Sequence, residues 1–559
     1  MSTRLATGGR LLNKSKPLSF TFNGKQMRGY EGDTLASALL ANDQVLVGRS
    51  FKYHRPRGIV TSGPEEPNGL VGLGQEGQFE PNARVTTTEL HEGLEAASQN
   101  HWPSLEFDVG ALNKHLSRFL PAGFYYKMFM HPRPMWKHLY EPIIRHSAGL
   151  GKAPKASDAD TYEHFHAFCD VLVIGGGVAG LQAALAAGLS GARVIVMEQS
   201  AHWGGRAPVD GGTVDGALVE DWIAQTLDRL RGMENVDLRD RTMGAGVYDH
   251  GYVLGYERIR DHAPEALGPR HRLWRVRAGH VITATGAIER PLSFAGNDVP
   301  GVMLASAMRD YVANYGVSPG DRTVLVTNND NAYLTAIALK QAGLDVPAVL
   351  DARVLPQDSE LVAKTKALGI RVVMGHAVSS VQGGKRVTGV AVCSQAGEGA
   401  VLEEIACDAV AMSGGWSPVV HLWSHCGGKL TWDKTHACFR PDQDHPPTGA
   451  DGHGFVTPAG AAAGVFALDD VLHDAHAAAD GVATSLGFKM PRDFTSPEAM
   501  RREEAPMMPV WQMPQGASVK LREKTFLDYQ NDVKVSDVRL AAQEGFVSVE
   551  HAKRYTTLG

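Results

Sequence analysis

The chain has 559 residues, of which 43% are hydrophobic and 21% charged, and its 55 Lys and Arg against 61 Asp and Glu leave a net charge of −6. That length exceeds what one hydrophobic core supports, so several α/β domains are expected, and without a dominant basic run nucleic acid is excluded as a partner. The first residues, MSTRLATGGRLLNKSK, lack the apolar core of a signal peptide, no stretch has the apolar length of a membrane helix, and the five cysteines form no CxxC pair. A cytoplasmic protein with reduced thiols, no membrane span, no metal site and no cluster is therefore expected.

In chain order, residues 1–105 read as strand-rich and turn-rich, with one helix at Thr34–Asn42. Residues 106–165 turn helical and aromatic, cut into short pieces by prolines and closed by the linker GKAPKASDAD. A long α/β domain covers 166–291 and 405–486, interrupted by an insertion, 292–404, with its own strand–helix–strand frame. Residues 487–559 begin as a proline- and methionine-rich excursion and end in two short helices, for which Ser536 and Ser548 are the expected caps.

The sharpest signal is DVLVIGGGVAGLQAALAAGLSGARVIVMEQS, Asp170 to Ser200. An apolar strand, Val171–Ile174, runs into Gly175, Gly177 and Gly180, the G-x-G-x-x-G turn that opens a helix. The first glycine permits the tight turn, the second lets the backbone approach a pyrophosphate at the helix N-terminus, and the third lets helix and strand lie close. Arg193–Met197 supplies the second strand, and Glu198 follows where a carboxylate accepts ribose hydroxyls. Strand, turn, helix, strand and acid in register predict a bound dinucleotide. An acid at Glu198 disfavours a 2′-phosphate and leaves NAD or FAD. The loop His202-Trp203-Gly204-Gly205-Arg206 resembles the pyrophosphate-covering loop of two-dinucleotide flavoproteins. The "ATG" crossing ending at Gly286 fits the same superfamily, as does the return turn Gly460-Ala461. Flavin enzymes commonly carry Asp where this chain has Ala461, which weakens FAD and favours NAD.

In the insertion, the corresponding turn reads Asn328-Asn329-Asp330-Asn331. It has no glycine for close approach, and Asp330 would repel a phosphate. A degenerate second frame, with asparagines capping the helix, is the expectation. The N-terminal region resembles a β-grasp ferredoxin-like domain. Cluster-binding versions carry cysteines around the segment here written Thr61–Asn68, whereas this chain has none before Cys169. Its basic motif, Arg49-Ser50-Phe51-Lys52-Tyr53-His54-Arg55-Pro56-Arg57-Gly58, reads either as a flavin-phosphate or subunit contact, or as a solvated loop.

Taken together, SFKYHRPRGI, VLVIGGGVAG, SGGWSPVVHL and the last segment, FLDYQNDVKVSDVRLAAQEGFVSVEHAKRYTTLG, resemble the α subunits of heterotetrameric sarcosine oxidases along the whole chain. That resemblance implies an α/β fold with two-dinucleotide-binding, pyridine nucleotide-disulfide oxidoreductase-like Rossmann domains. A cluster-free β-grasp ferredoxin-like domain precedes them, and a small helical segment follows. It implies oxidative demethylation of sarcosine to glycine, a one-carbon unit and hydrogen peroxide, in complex with β, γ and δ subunits. FAD in β would oxidise the amine, and FMN at the α–β interface would react with oxygen. NAD would be held by this chain without turnover, on Ala179, Glu198, Gln199, Arg206 and Gly460-Ala461, with the strand at Thr242-Met243 passing the adenine. Lys553 and Arg554 become candidates for the interfacial FMN phosphate. The family continues beyond the position of Gly559 into a tetrahydrofolate-binding, aminomethyltransferase-like domain, so folate residues fall outside this sequence, whether that domain lies on the same or a separate polypeptide. No catalytic or metal-ligating residue is assigned here. A self-contained FAD-dependent NAD(P)H oxidoreductase, an empty assembly scaffold and the α subunit of a related opine or amino-acid dehydrogenase are the competing readings.

Overall fold

The computed structural model describes residues 3–114, 121–127, 131–146, 149–354 and 359–559. The chain divides into two compact units, one made of Met1–Ala159, Pro291–Gly415 and Ala505–Gly559, the other of Asp160–Arg290 and Trp416–Glu504.

The second unit is a Rossmann frame. Its sheet runs in the order Val236–Arg239, Val194–Met197, Tyr162–Ile174, His271–Thr283, Tyr252–Arg258, Thr242–Tyr248, and Val456–Pro458 pairs in addition with His271–Thr283. The four strands nearest the glycine turn are parallel, and Val194–Met197 with the Val171–Ile174 end of the first strand is apolar and buried on both faces, as strands covered on each side must be. Helix Val178–Leu189, rich in Ala and Gly, is buried over most of its length, which lets it lie close to the sheet. The first strand starts at Tyr162, ahead of the Val171 expected from the apolar run. Its first half, a mostly exposed mixture of polar and aromatic residues, pairs in register with His271–Ala278, so ladder pairing extends a strand that apolarity alone does not reveal.

In the other unit, the N-terminal residues form a five-stranded sheet in the order Lys25–Glu31, Asn13–Phe22, Glu95–Ser98, Leu70–Leu73, Glu80–Arg84. The expected helix is present as Leu35–Ala41, wholly buried, with Thr34 capping it through the Ser37 amide. This is the β-grasp arrangement. The Pro291–Gly415 part of the same unit holds a parallel sheet in the order Val302–Leu304, Ala409–Ser413, Thr323–Thr327, Val349–Asp351, Val372–Met374, with a three-stranded antiparallel sheet beside it in sequence, His376–Ala406. The expected helical run across 106–165 lies partly outside the described residues. Inside them it consists of short pieces such as Phe124–Lys127 and Glu141–His146.

The final helices are Val535–Gln543 and Val549–Thr556. Ser548 is the N-cap residue of the second, although its side chain makes no capping bond. Ser536 is not the cap of the first. That helix starts two residues earlier than a Ser536 cap implies, capped at Lys534, whose amide donates to the Asp537 carboxylate at 3.0 Å. A carboxylate reaching back to the N-cap amide satisfies an orphan donor and suits the positive helix end, which outweighs a serine placed two residues too late.

Candidate functional site: one open glycine turn and two stations filled by the chain

The Gly175 turn lies at the carboxyl end of the parallel strands, where open α/β sheets receive ligands. Gly175 has φ +112°, and a Cβ there would stand 2.2 Å from the Ala284 carbonyl oxygen. A Cβ on Gly180 would lie 1.8 Å from the Gly175 carbonyl oxygen, so helix and turn can close only with glycine at both positions. Gly177 is the N-cap of the helix in extended conformation, which leaves the first-turn amides aimed out of the turn as an anion-binding end.

Glu198 is buried, and one of its oxygens accepts from the Gly176 amide in this turn while the other accepts from the Ser200 amide just beyond its own strand, each at 2.7 Å. Burial raises its pKa above the ordinary carboxylate value, against the lowering effect of those two amides. The Glu198 carbonyl accepts from the Thr242 amide at 2.7 Å, which brings the half-exposed Met243 to the same edge. Gln199 is exposed beside it, its carbonyl accepting from Arg258 at 3.0 Å.

The double-glycine loop folds back onto the turn. Gly204 donates to the Gly176 carbonyl at 2.8 Å. Gly205, at φ +58°, stands so close to Gly177 that a Cβ would come within 3.1 Å of its Cα. Arg206 pairs with Asp210 at 3.1 Å and lies over the Trp416 ring at 5.2 Å. The crossing at Gly286 is fixed by Val419, whose amide donates to the Gly286 carbonyl at 2.9 Å. Gly460, at φ +62°, abuts Ala179, and Ala461 follows it in a short 3-10 turn. All twelve residues expected at the site thus border one end of one sheet.

Three neighbours were not among the expected site residues. Gly176 must also be glycine, because a Cβ would strike the Trp203 ring at 2.5 Å, and the run of three glycines was the available signal. Trp203 is the second, packed over that turn. The third is Asp474, on helix Leu468–Ser485, which accepts from the Gly460 amide at 2.7 Å and whose pKa is raised by burial. Nothing near Gly460 in sequence announces it.

The other two stations are filled by the chain itself. In the ferredoxin-like domain, Glu66 is buried and accepts from the amides of Val60, Thr61, Asn68 and Gly69 at 2.8–3.0 Å. The loop amides that cluster-binding relatives would turn toward an anionic cluster therefore converge on a carboxylate. The loop is also tied to the Pro291–Gly415 part of its unit, with Ser62 donating to Asp310 at 2.6 Å and Tyr311 donating to the Thr61 carbonyl at 2.9 Å. The basic motif is not a solvated loop. Arg57 is buried and pairs with both Asp298 and Asp532, while Arg55 pairs with Asp298 at 2.6 Å. Asp298 is wholly buried, yet the two arginines hold its pKa below the ordinary carboxylate value. Arg49 donates to the Leu105 carbonyl at 2.6 Å. These cations knit the N-terminal domain to the insertion and the C-terminal segment. Burying them requires such partners, which composition cannot reveal.

In the insertion, the asparagines do not cap the helix as expected. Helix Asn331–Gln341 has Asp330 as its N-cap residue and no side-chain capping bond. Asn328 is turned instead to the Met508 carbonyl at 2.8 Å, and Asn329 to the Ser413 hydroxyl at 2.9 Å. Among the described residues no group of His, Cys, Asp and Glu could hold a metal, and no helix is long and apolar enough to cross a membrane.

Residues 169–437 match the pyridine nucleotide-disulphide oxidoreductase family, residues 15–101 a 2Fe-2S iron-sulfur cluster binding domain, and residues 522–559 the sarcosine oxidase A3 domain. The sarcosine oxidase subunit alpha of Rhizobium meliloti (strain 1021) is 47% identical over 100% of this chain and 54% of its own length. That of Corynebacterium sp. (strain P-1) is 35% identical over 98% of this chain and 52% of its own. The chain thus spans about half the length of these relatives. Among solved structures, L-proline dehydrogenase from P. horikoshii superposes with a TM-score of 0.64 at 19% identity, covering 100% of this chain and 90% of that one, which shows a shared fold. Over the length it spans, the chain belongs to the family of sarcosine oxidase alpha subunits.

Proposed function

We propose that this chain is the NAD-holding, non-catalytic α component of a heteromeric sarcosine oxidase. The observation that carries the reading is the contrast between one open phosphate turn, at Gly175–Gly180, and two stations closed by the chain's own groups, at Glu66 and at Asn328–Asp330. The Gly175 site fits a dinucleotide: three glycines whose Cβ positions are forbidden line the turn, and a buried carboxylate stands where ribose hydroxyls would bind. Gly175, Gly177, Ala179 and Gly180 would receive the pyrophosphate, Glu198 and Gln199 the adenosine ribose, and Met243 the adenine. Gly205, Arg206, Gly286, Gly460 and Ala461 would enclose the remainder. NAD is a hydride carrier in other settings, but here it is read as a resident ligand. Ala461 offers no carboxylate to a ribityl chain, and Asp474 already takes the Gly460 amide, both of which favour NAD over FAD.

Amine oxidation is assigned to FAD in a β subunit, and the reaction with oxygen to FMN at the α–β boundary, with γ and δ completing the complex. On this chain, Lys553 is half-buried and Arg554 exposed in the last turn of helix Val549–Thr556, the pair proposed to face the FMN phosphate. Folate chemistry is assigned to no residue described here. The rival reading, a self-contained NAD(P)H oxidoreductase, needs a usable second nucleotide frame, and that frame is occupied. Assay of sarcosine-dependent peroxide formation with this chain alone, and after co-expression with the other subunits, tests the proposal: activity should require the partners, and turnover by the chain alone would overturn it.

A further inference from the structure

The turn that follows strand Thr323–Thr327 is engaged by a remote segment of the chain. In a working frame the turn amides face the pyrophosphate, and the acid ending the second strand takes the ribose. Here Asn328 and Met508 exchange hydrogen bonds, the Met508 amide donating to the Asn328 carbonyl at 3.1 Å and the Asn328 side chain donating to the Met508 carbonyl at 2.8 Å. Asp330 is fully buried, and one oxygen accepts from the Ala505 amide at 2.8 Å while the other accepts from Arg353 at 2.6 Å. Arg353 also reaches the Pro506 carbonyl at 3.4 Å. Asp351, the acid ending the second strand, accepts from Arg353 at 2.6 Å and from Tyr333 at 2.7 Å.

The occupant suits the cleft chemically. Ala505-Pro506-Met507-Met508 is uncharged, so its amides can approach the Asp330 carboxylate that would repel a phosphate. Pro506 has no N–H, and its carbonyl is the group presented to Arg353. Met508 and Val510 pack against the same hydrophobic core as the sheet beneath.

We propose that the second nucleotide frame is a clasp for the chain's own Ala505–Met508 segment, a peptide standing where a pyrophosphate would, so that segment and dinucleotide exclude one another. The clasp anchors the run that leads into the C-terminal helices. It does not depend on the identity of the ligand at Gly175 or on the amine oxidised.

Hydrogen–deuterium exchange of the full chain tests this, with and without NADH and NADPH. In the wild type, the 503–510 peptide should be protected and should not respond to either nucleotide. Asp330→Ala should accelerate its exchange about tenfold or more, the effect of losing a charge-assisted bond, while the 171–182 peptide stays within about twofold. Ala505→Pro, which removes only the segment's donor and leaves the cleft intact, should accelerate 506–510 likewise and keeps the test valid if Asp330→Ala fails to fold. Exchange unchanged in both variants would overturn the proposal. So would a wild type in which NADH or NADPH protects the 325–333 peptide and releases 505–508.

Discussion

Replacing Glu198 by Gln keeps the shape of the side chain and removes its charge, and the structure says the change is not conservative. Both carboxylate oxygens already accept backbone N–H groups, from Gly176 and Ser200, at 2.7 Å each. A carboxamide has one acceptor oxygen, so its NH2 must confront one of those donors. The unsatisfied buried donor costs about 1–3 kcal/mol, which denaturant unfolding of the ligand-free chain should register. Ribose hydroxyls bound to a charged acceptor are worth about 1.5–3 kcal/mol against about 0.5–1.5 for a neutral one. NAD affinity should therefore fall by about 1–2 kcal/mol, roughly five- to thirtyfold by calorimetric titration. The removed charge also lifts a repulsion against a 2′-phosphate, so the preference for NAD over NADP should narrow. Unchanged stability together with unchanged NAD affinity would refute the placement of Glu198 in the site.

Four further outcomes follow from the structure. Gly180→Ala puts a Cβ 1.8 Å from the Gly175 carbonyl, so the turn must open and bound nucleotide should be lost. Gly481→Ala, on the exposed face of helix Leu468–Ser485 with open space around it, should keep the nucleotide and gain up to about 1 kcal/mol of stability. Arg57→Ala leaves Asp298 and Asp532 buried with less compensation and should cost about 3–5 kcal/mol in denaturant unfolding, and a loss under about 1 kcal/mol would contradict the ion cluster. His280, buried against the Thr457 hydroxyl at 2.8 Å, has its pKa lowered to about 4 by desolvation. Its folded pKa lies below its unfolded value of about 6.5, so its contribution is full above about pH 6.5 and is lost as pH falls toward about 4, up to about 3 kcal/mol. Denaturation curves of His280→Gln should be flatter across that window.

The open site was readable because its constraints are local. Gly175 is required by its positive φ and Gly180 by the Gly175 carbonyl, Gly177 supplies the extended N-cap, and Glu198 stands at a fixed distance along one βαβ unit, so spacing encodes geometry. The filled sites were not readable, because their partners are remote in sequence. Glu66 is unremarkable until its neighbours' amides are seen to converge on it. Arg57 looks like part of a solvated basic run, and its acids come from Asp298 and Asp532. The asparagine turn showed that a phosphate was unwelcome, but its occupant lies beyond Glu504, on the far side of another domain in sequence. Side chains that compete for local caps, such as Ser536 against Asp537, mislead by two residues because charge at a helix start outweighs a hydroxyl.

The central claim is that this chain holds one nucleotide, NAD, at the Gly175 turn and nowhere else. Denaturing the purified native complex, and separately the chain expressed alone, and weighing the released nucleotides by mass spectrometry addresses it directly. One equivalent of NAD per chain, lost in Gly180→Ala, is the predicted result. FAD released from the chain expressed alone, or a second equivalent of nucleotide that survives Gly180→Ala, would contradict it.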